Sequence, residues 1–238
     1  MANDKSTHGV SPESVSAINQ LVPMDVTNQL CGNDNPKTLS VLILDASMSM
    51  IRFGDAPRQC VANHLAAIKK SPDGREQFCA VITFNKHATL VVPLARADAI
   101  SDSFRYQNDY GTLLWKTVHE ALKSFCLYFR LHSPKNTKIF VGVISDGIDN
   151  QSNKGGQPGN PVYPEKTKKW SKRALELGFE LFAYGIGVDG KKLAEDLGFP
   201  TDDQHAFTLE ASVRDLTRST RHFSETTTGG FDPDFWEK

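Results

Sequence analysis

A chain of 238 residues has room for one large α/β domain or two small ones. Hydrophobic residues make up 39% of it and charged residues 23%, enough apolar side chain for a real core. Twenty-seven basic residues stand against 28 acidic ones, a formal net charge of -1, which leaves no basic excess for a nucleic-acid partner.

The first ten residues, MANDKSTHGV, lack the apolar run of a signal peptide. No stretch approaches the ~18 apolar residues of a membrane span. The expectation is a soluble, cytoplasmic protein with no membrane partner. Residues 1–36 are rich in Ser, Asn, Asp and Pro, broken by apolar pieces at Ile18–Val22 and Met24–Val26. They read as an N-terminal arm, packed over the domain or partly disordered.

The character changes after Pro36. Leu39–Leu44 is a nearly unbroken aliphatic run that stops at Asp45. Without alternation, it predicts a strand buried on both faces, as in parallel sheets. A helix follows over Pro57–Lys70, with Pro in its first turn and Val61, Leu65 and Ile68 on one face. Gln77–Phe84 and Thr89–Leu94 are strands, and the short polar link between them forces an antiparallel hairpin. The longest helix spans Leu113–Leu131. Ile139–Ile144 is a buried strand that runs into Ser145-Asp146-Gly147, followed by a Gly- and Pro-rich loop, Asn150–Pro164. A helix over Glu165–Leu177, a strand over Phe179–Val188, a short helix over Lys191–Leu197, a strand over Ala206–Leu209 and a helix over Val213–Thr226 complete the pattern.

The sum is one α/β domain over residues 37–228, followed by a tail, 229–238, with three aromatics among acids. Alternating strands and helices with one hairpin imply a doubly wound, mostly parallel six-stranded sheet. One strand is antiparallel, and helices lie on both faces.

Ligands of such sheets bind beyond the carboxyl ends of the strands, where strand order reverses. Three polar clusters fall at that edge. Asp45-Ala46-Ser47-Met48-Ser49 leaves the first strand, Asp109-Tyr110-Gly111-Thr112 opens the longest helix, and Asp146-Gly147-Ile148-Asp149 leaves the strand after it. Each offers hard oxygen and none offers Cys or His, the donor set of Mg2+. In an extended strand end, Asp45, Ser47 and Ser49 would project toward one point. Helix capping would account for Asp45 and Ser47, but not for three clusters at one edge.

These segments resemble the metal-ion-dependent adhesion site of von Willebrand factor A domains. The likeness lies in Asp45-x-Ser47-x-Ser49, Gly111-Thr112 and Asp146-Gly147, and extends over about residues 37–228. Met50 and the run Gly185-Ile186-Gly187-Val188 are similar to intracellular, stand-alone members of that family. The resemblance implies Mg2+, with Mn2+ or Ca2+ as alternatives, held by Asp45, Ser47, Ser49, Thr112 and Asp146. Ser47, Ser49 and Thr112 would touch the ion directly, and Asp149 would lie behind the ligands. It also implies a non-enzymatic adaptor whose ion grips an Asp or Glu carboxylate of a protein partner, such as an ATPase or a kinase–phosphatase system. Met48 and Tyr110 stand where many members have glycine, and narrow access to the ion.

Other readings compete. A metal-dependent hydrolase or phosphatase would need a base beside Ser47 or Ser49, or a second Asp two residues after Asp45, where Ser47 stands. A structural subunit with a vestigial metal site is a further alternative. Gly185-x-Gly187-x-x-Gly190 fits a dinucleotide fingerprint, although on a late strand. Cys60 and His64, one helical turn apart, would make half a metal site. The four cysteines, Cys31, Cys60, Cys79 and Cys126, contain no CxxC pair and read as free thiols, mostly buried.

Overall fold

The computed structural model describes residues 22–147, 149–150 and 162–230. The apolar piece before Val22, most of the loop after Asn150 and the aromatic tail from Phe231 lie outside the described residues.

The aliphatic run becomes β1 (Lys37–Asp45), buried along its whole length. It pairs in parallel with β2 (Glu76–Phe84) on one side and with β4 (Thr137–Ser145) on the other. β3 (Ala88–Arg96) runs antiparallel to β2 as the hairpin requires, while β5 (Phe179–Ile186) and β6 (Ala206–Leu209) continue the parallel series. The order is β3-β2-β1-β4-β5-β6. From β1 the chain builds outward in one direction and then, at β4, in the other. The strand order therefore reverses between β1 and β4.

Period-2 alternation in β1 assigns its side chains to two cores. Leu39, Val41 and Ile43 face α1 (Met24–Cys31), α3 (Leu114–His132), α4 (Val162–Glu176) and α5 (Gly190–Leu197). Leu42 and Leu44 face α2 (Ala56–Lys69) and α6 (Val213–Thr227). Helices thus cover both faces, and the fold class read from the sequence is the one found.

The first helix is a difference. Met24–Cys31 lies in the segment read as an arm, yet Val26 and Leu30, at i and i+4, join the same core as Leu39 and Phe125. The chain behind it is fastened by Lys37, which is fully buried. Its ammonium donates to the Asn33 carbonyl and Oδ1, each at 2.8 Å, and to the Asn35 carbonyl at 3.0 Å. All three N–H donors are thereby satisfied without a carboxylate.

Gly142 in β4 has a packing reason. A Cβ there would stand 2.8 Å from the Phe223 ring, so its absence lets α6 lie directly on the sheet.

Candidate metal centre at the β1–β4 switch point

Asp45 is the last residue of β1, and Leu44 pairs with Ile144. One step beyond that register, the Ser145 hydroxyl donates to Asp45 Oδ2 at 2.6 Å. The Ser47 N–H donates to Asp45 Oδ1 at 2.8 Å. Both oxygens are therefore held, and the side chain has no exposure. Burial raises the Asp45 pKa to about 6; bonds from Ser145 and Ser47 oppose this, and the charge of Asp146 adds to it. A carboxylate so placed gains from a nearby cation.

Ser47 is extended, but the chain then turns into a 3-10 helix over Met48–Phe53. The expectation that Ser49 projects from an extended strand end is corrected by this turn. The tight winding nonetheless returns Ser49 to the site, with its Oγ 2.8 Å from Ser47 Oγ. The capping explanation weakens at the same point. Ser47 occupies the N-cap position, yet its side chain makes no cap bond.

Ser49 donates onward to Asp146 Oδ1 at 2.7 Å, joining the first and third segments. The other Asp146 oxygen, Oδ2, accepts from the Arg52 guanidinium at 2.9 Å. The second segment is tied in through backbone. The Asp109 N–H donates to the Ala46 carbonyl at 3.1 Å, and Asn108 Nδ2 to the Ser47 carbonyl at 3.1 Å. Tyr106 adds a hydroxyl bond to the Asp45 carbonyl at 2.8 Å. Gly111, at φ 85°, supplies a left-handed residue just before Thr112, which is buried.

Asn150 joins the second and third segments. Its Oδ1 accepts from the Thr112 N–H at 3.0 Å, and its own N–H donates to the Thr112 carbonyl at 3.1 Å. Asp149 Oδ2 accepts from the Trp115 N–H at 2.7 Å, which satisfies an orphan donor in the first turn of α3. The carboxylate of Asp109 turns away to Lys86, at 2.9 Å. Beside the third segment is a hollow of about 300 Å3, lined chiefly by Leu114, Trp115, Val188 and Leu193. Met48 and Tyr110 are both exposed, with Tyr110 at 70%.

Five residues of this centre escaped the sequence reading, among them Asn150, read only as the start of a loop. Ser145 is an isolated hydroxyl at the end of an aliphatic strand, and Arg52 is a basic residue three positions after Ser49. Tyr106 and Asn108 lie in a loop that carries no periodic signal.

The donor set tests whether a divalent cation suits the centre. It consists of hydroxyl and carboxylate oxygens with two buried carboxyls, Asp45 and Asp146, which is hard-cation chemistry. Among the described residues, no three His, Cys, Asp or Glu side chains gather into a metal cage. A site here would depend on hydroxyl oxygens as well, and Ser47 and Ser49 beside Asp146 fit that role, while Thr112 is held by backbone bonds to Asn150.

The competing constellations do not assemble. His64 uses both ring nitrogens, Nδ1 with Ser224 Oγ at 2.8 Å and Nε2 with Ser40 Oγ at 3.3 Å, and so presents none to a metal beside Cys60. The three glycines at 185, 187 and 190 serve close backbone packing. A Cβ at Gly190 would meet the Phe207 carbonyl oxygen at 1.9 Å. Asp189 accepts the Lys191 and Lys192 N–H groups at the start of α5, where a dinucleotide phosphate would bind. The Ser47 and Ser49 hydroxyls meet each other and Asp146, and among the described residues no histidine bonds to either. Cys60, Cys79 and Cys126 are buried free thiols, while Cys31 is exposed.

With this geometry in hand, comparison with solved structures identifies the architecture. A von Willebrand factor type A protein from Catenulispora acidiphila superposes with a TM-score of 0.54 at 18% identity, over 82% of this chain and 43% of that one. The fold is of the von Willebrand factor A type. The pilus adhesin SpaC of Lactobacillus rhamnosus GG, in its open conformation, gives a TM-score of 0.60 at 18% identity, over 84% of this chain and 31% of the adhesin. The von Willebrand factor domain of the type V pili tip protein Mfa5 from Porphyromonas gingivalis gives 0.54 at 11% identity, over 84% of this chain and 98% of that domain. The chain thus spans less than half the length of the first two proteins. At such identities the likeness establishes the fold alone. No protein-family model matches the sequence, and comparison with curated proteins gives no match. Among the described residues, no helix is long and apolar enough to cross a membrane.

Proposed function

We propose that this chain is a divalent-cation-dependent protein-binding domain, an adaptor rather than an enzyme. In this reading, Asp45, Ser47, Ser49, Thr112 and Asp146 hold Mg2+, with Mn2+ or Ca2+ as alternatives. The observation that carries it is the continuous bond path from Ser47 through Ser49 to Asp146, beside the buried Asp45 carboxylate. Arg52 offsets only one of the two neighbouring buried carboxyls, which favours a further positive charge, and hard oxygen selects the ion. When bound, the ion supplies a Lewis-acidic position that a partner's Asp or Glu side chain can occupy.

The chain's own residues supply the rest. Ser145 orients Asp45, Asn150 anchors the Thr112 backbone, and exposed Met48 and Tyr110 rim the entrance. The hollow at Trp115 gives an apolar side chain next to the partner's carboxylate a place to rest. Adhesion is named for the SpaC structure and a pilus tip for Mfa5, and binding on this fold supports the same class of role here. Among the described residues no histidine bonds to the serines, which favours binding over hydrolysis.

The test is calorimetric titration of Mn2+ into the wild-type chain and Asp45→Ala, followed by capture of partners in Mg2+ with release by EDTA. Metal uptake lost in Asp45→Ala, and partners released by EDTA, are expected. Equal behaviour of both chains, or capture indifferent to EDTA, would overturn the reading.

A further inference from the structure

The two oxygens of Asp146 are occupied by donors of different kinds. Ser49 brings a neutral hydroxyl to Oδ1, and Arg52 brings a full positive charge to Oδ2. Both donors come from the same 3-10 turn, so the turn that delivers a proposed ligand also delivers a cation. The Asp146 side chain has no exposed surface, whereas that of Arg52 is 48% exposed. The guanidinium therefore bridges the buried site and solvent. Its carbon also lies 4.9 Å from the centre of the Phe53 ring, a second favourable contact that keeps it at the rim.

Charge counting gives this pair a consequence. Asp45 and Asp146 together carry two negative charges when ionised, which a divalent ion cancels. With Arg52 these three side chains total one negative charge, so together with a divalent ion they carry a net positive charge. We propose that Arg52 is a specificity-determining residue of the centre, weakening its hold on the divalent cation and strengthening the loaded site's hold on an anion. This inference rests on the metal-binding reading above. It adds that the anion preference is built into the chain and does not come from the ion alone.

The two effects have opposite signs, which separates them from a structural role. Loss of a merely structural ion pair would loosen Asp146 and weaken both affinities together. Loss of a like charge near the ion strengthens metal binding, and loss of a positive charge near the anion weakens anion binding.

The experiment compares wild type, Arg52→Met, Arg52→Gln and Arg52→Lys, each checked for cooperative thermal unfolding in EDTA. Mn2+ affinity is measured by calorimetry, and acetate is then titrated into the Mn2+-saturated protein while water-proton relaxation is followed. The neutral variants are expected to bind Mn2+ about tenfold more tightly and acetate several-fold more weakly, a screened effect suited to a half-exposed cation. Arg52→Lys is expected to stay near wild type. Both affinities falling together, or neither moving, overturns the inference while leaving metal binding intact. Uptake of Mn2+ by the neutral variants but not by wild type would mean that Arg52 excludes the ion, and overturns both the inference and the proposed function. Uptake by none of the four overturns both.

Discussion

Ser49 and Asp146 lie 97 residues apart in sequence and meet Oγ to Oδ1 at 2.7 Å. The contact joins the turn after β1 to the residue leaving β4, across the point where strand order reverses. On one side of it the Ser145–Asp45 bond spans the same two strand ends at 2.6 Å. On the other stands the Arg52 guanidinium. The centre is therefore a property of strand adjacency, and Asp45, Ser47, Thr112 and Asp146 are each held by a neighbour that is not itself a proposed ligand.

Ser145→Ala tests that dependence most directly. It removes the hydroxyl that fixes Asp45 Oδ2 while leaving every proposed ligand in place. Mn2+ affinity is expected to fall about tenfold or more, the usual scale for losing an outer partner of a ligand. Calorimetry measures this, and an affinity equal to wild type would show that Asp45 needs no such support.

Asp149 separates scaffold from site. Its carboxylate accepts the Trp115 N–H in the first turn of α3. Asp149→Ala is expected to cost about 1 kcal/mol in urea unfolding, the value of a lost helix cap. Asp149→Asn keeps an acceptor and should lose less. Asp146→Asn should reduce Mn2+ affinity more than either.

Much of this was legible in the sequence, for physical reasons that differ by element. β1 is an uninterrupted aliphatic run because it is buried on both faces, and such a run has few other uses. The hairpin was legible because its link is too short for a crossover. The proposed ligands stood out because small polar residues interrupt apolar strands at their ends. The helix Met24–Cys31 was obscured because only Val26 and Leu30 of its eight residues are buried, too few to set a period. Arg52 was illegible for another reason. A lone arginine in a short turn looks like any solvated side chain until the third segment, nearly a hundred residues later, is folded beside it.

Acid should loosen the fold through His64. Burial holds its imidazole at about 3, against an ordinary 6.5. Between those values the unfolded chain binds a proton that the folded chain does not. Stability contributed by neutral His64 is complete above pH 6.5 and declines as pH falls toward 3, by up to about 1.4 kcal/mol per pH unit. His222, lowered to about 4, acts in the same direction. Asp45, raised from 3.8 to about 6, opposes it across that interval. Urea midpoints of wild type and His64→Phe at pH 7, 6 and 5 isolate the histidine: the variant's stability should decline less steeply.

Gly142→Ala probes the seat of α6. The added methyl would lie 2.8 Å from the Phe223 ring, closer than carbon atoms approach without displacement. A loss of about 1–3 kcal/mol is expected, the cost of overfilling a packed core. Pairing it with Phe223→Leu should restore part of that loss. Additive losses in the double variant would place the strain elsewhere.

The adjacency of β1 and β4 also bears on the time course of folding. Residues 46–136, which include α2, β2, β3 and α3, lie between these strands in sequence, so a long loop must close before Asp45 and Asp146 are neighbours. Contacts of such separation are entropically costly to form. If these contacts are still absent at the folding transition state, a cation bound there stabilises the native state and not that barrier. Added Mn2+ would then slow unfolding and leave the refolding rate unchanged, making the ion a kinetic latch on a fold already complete.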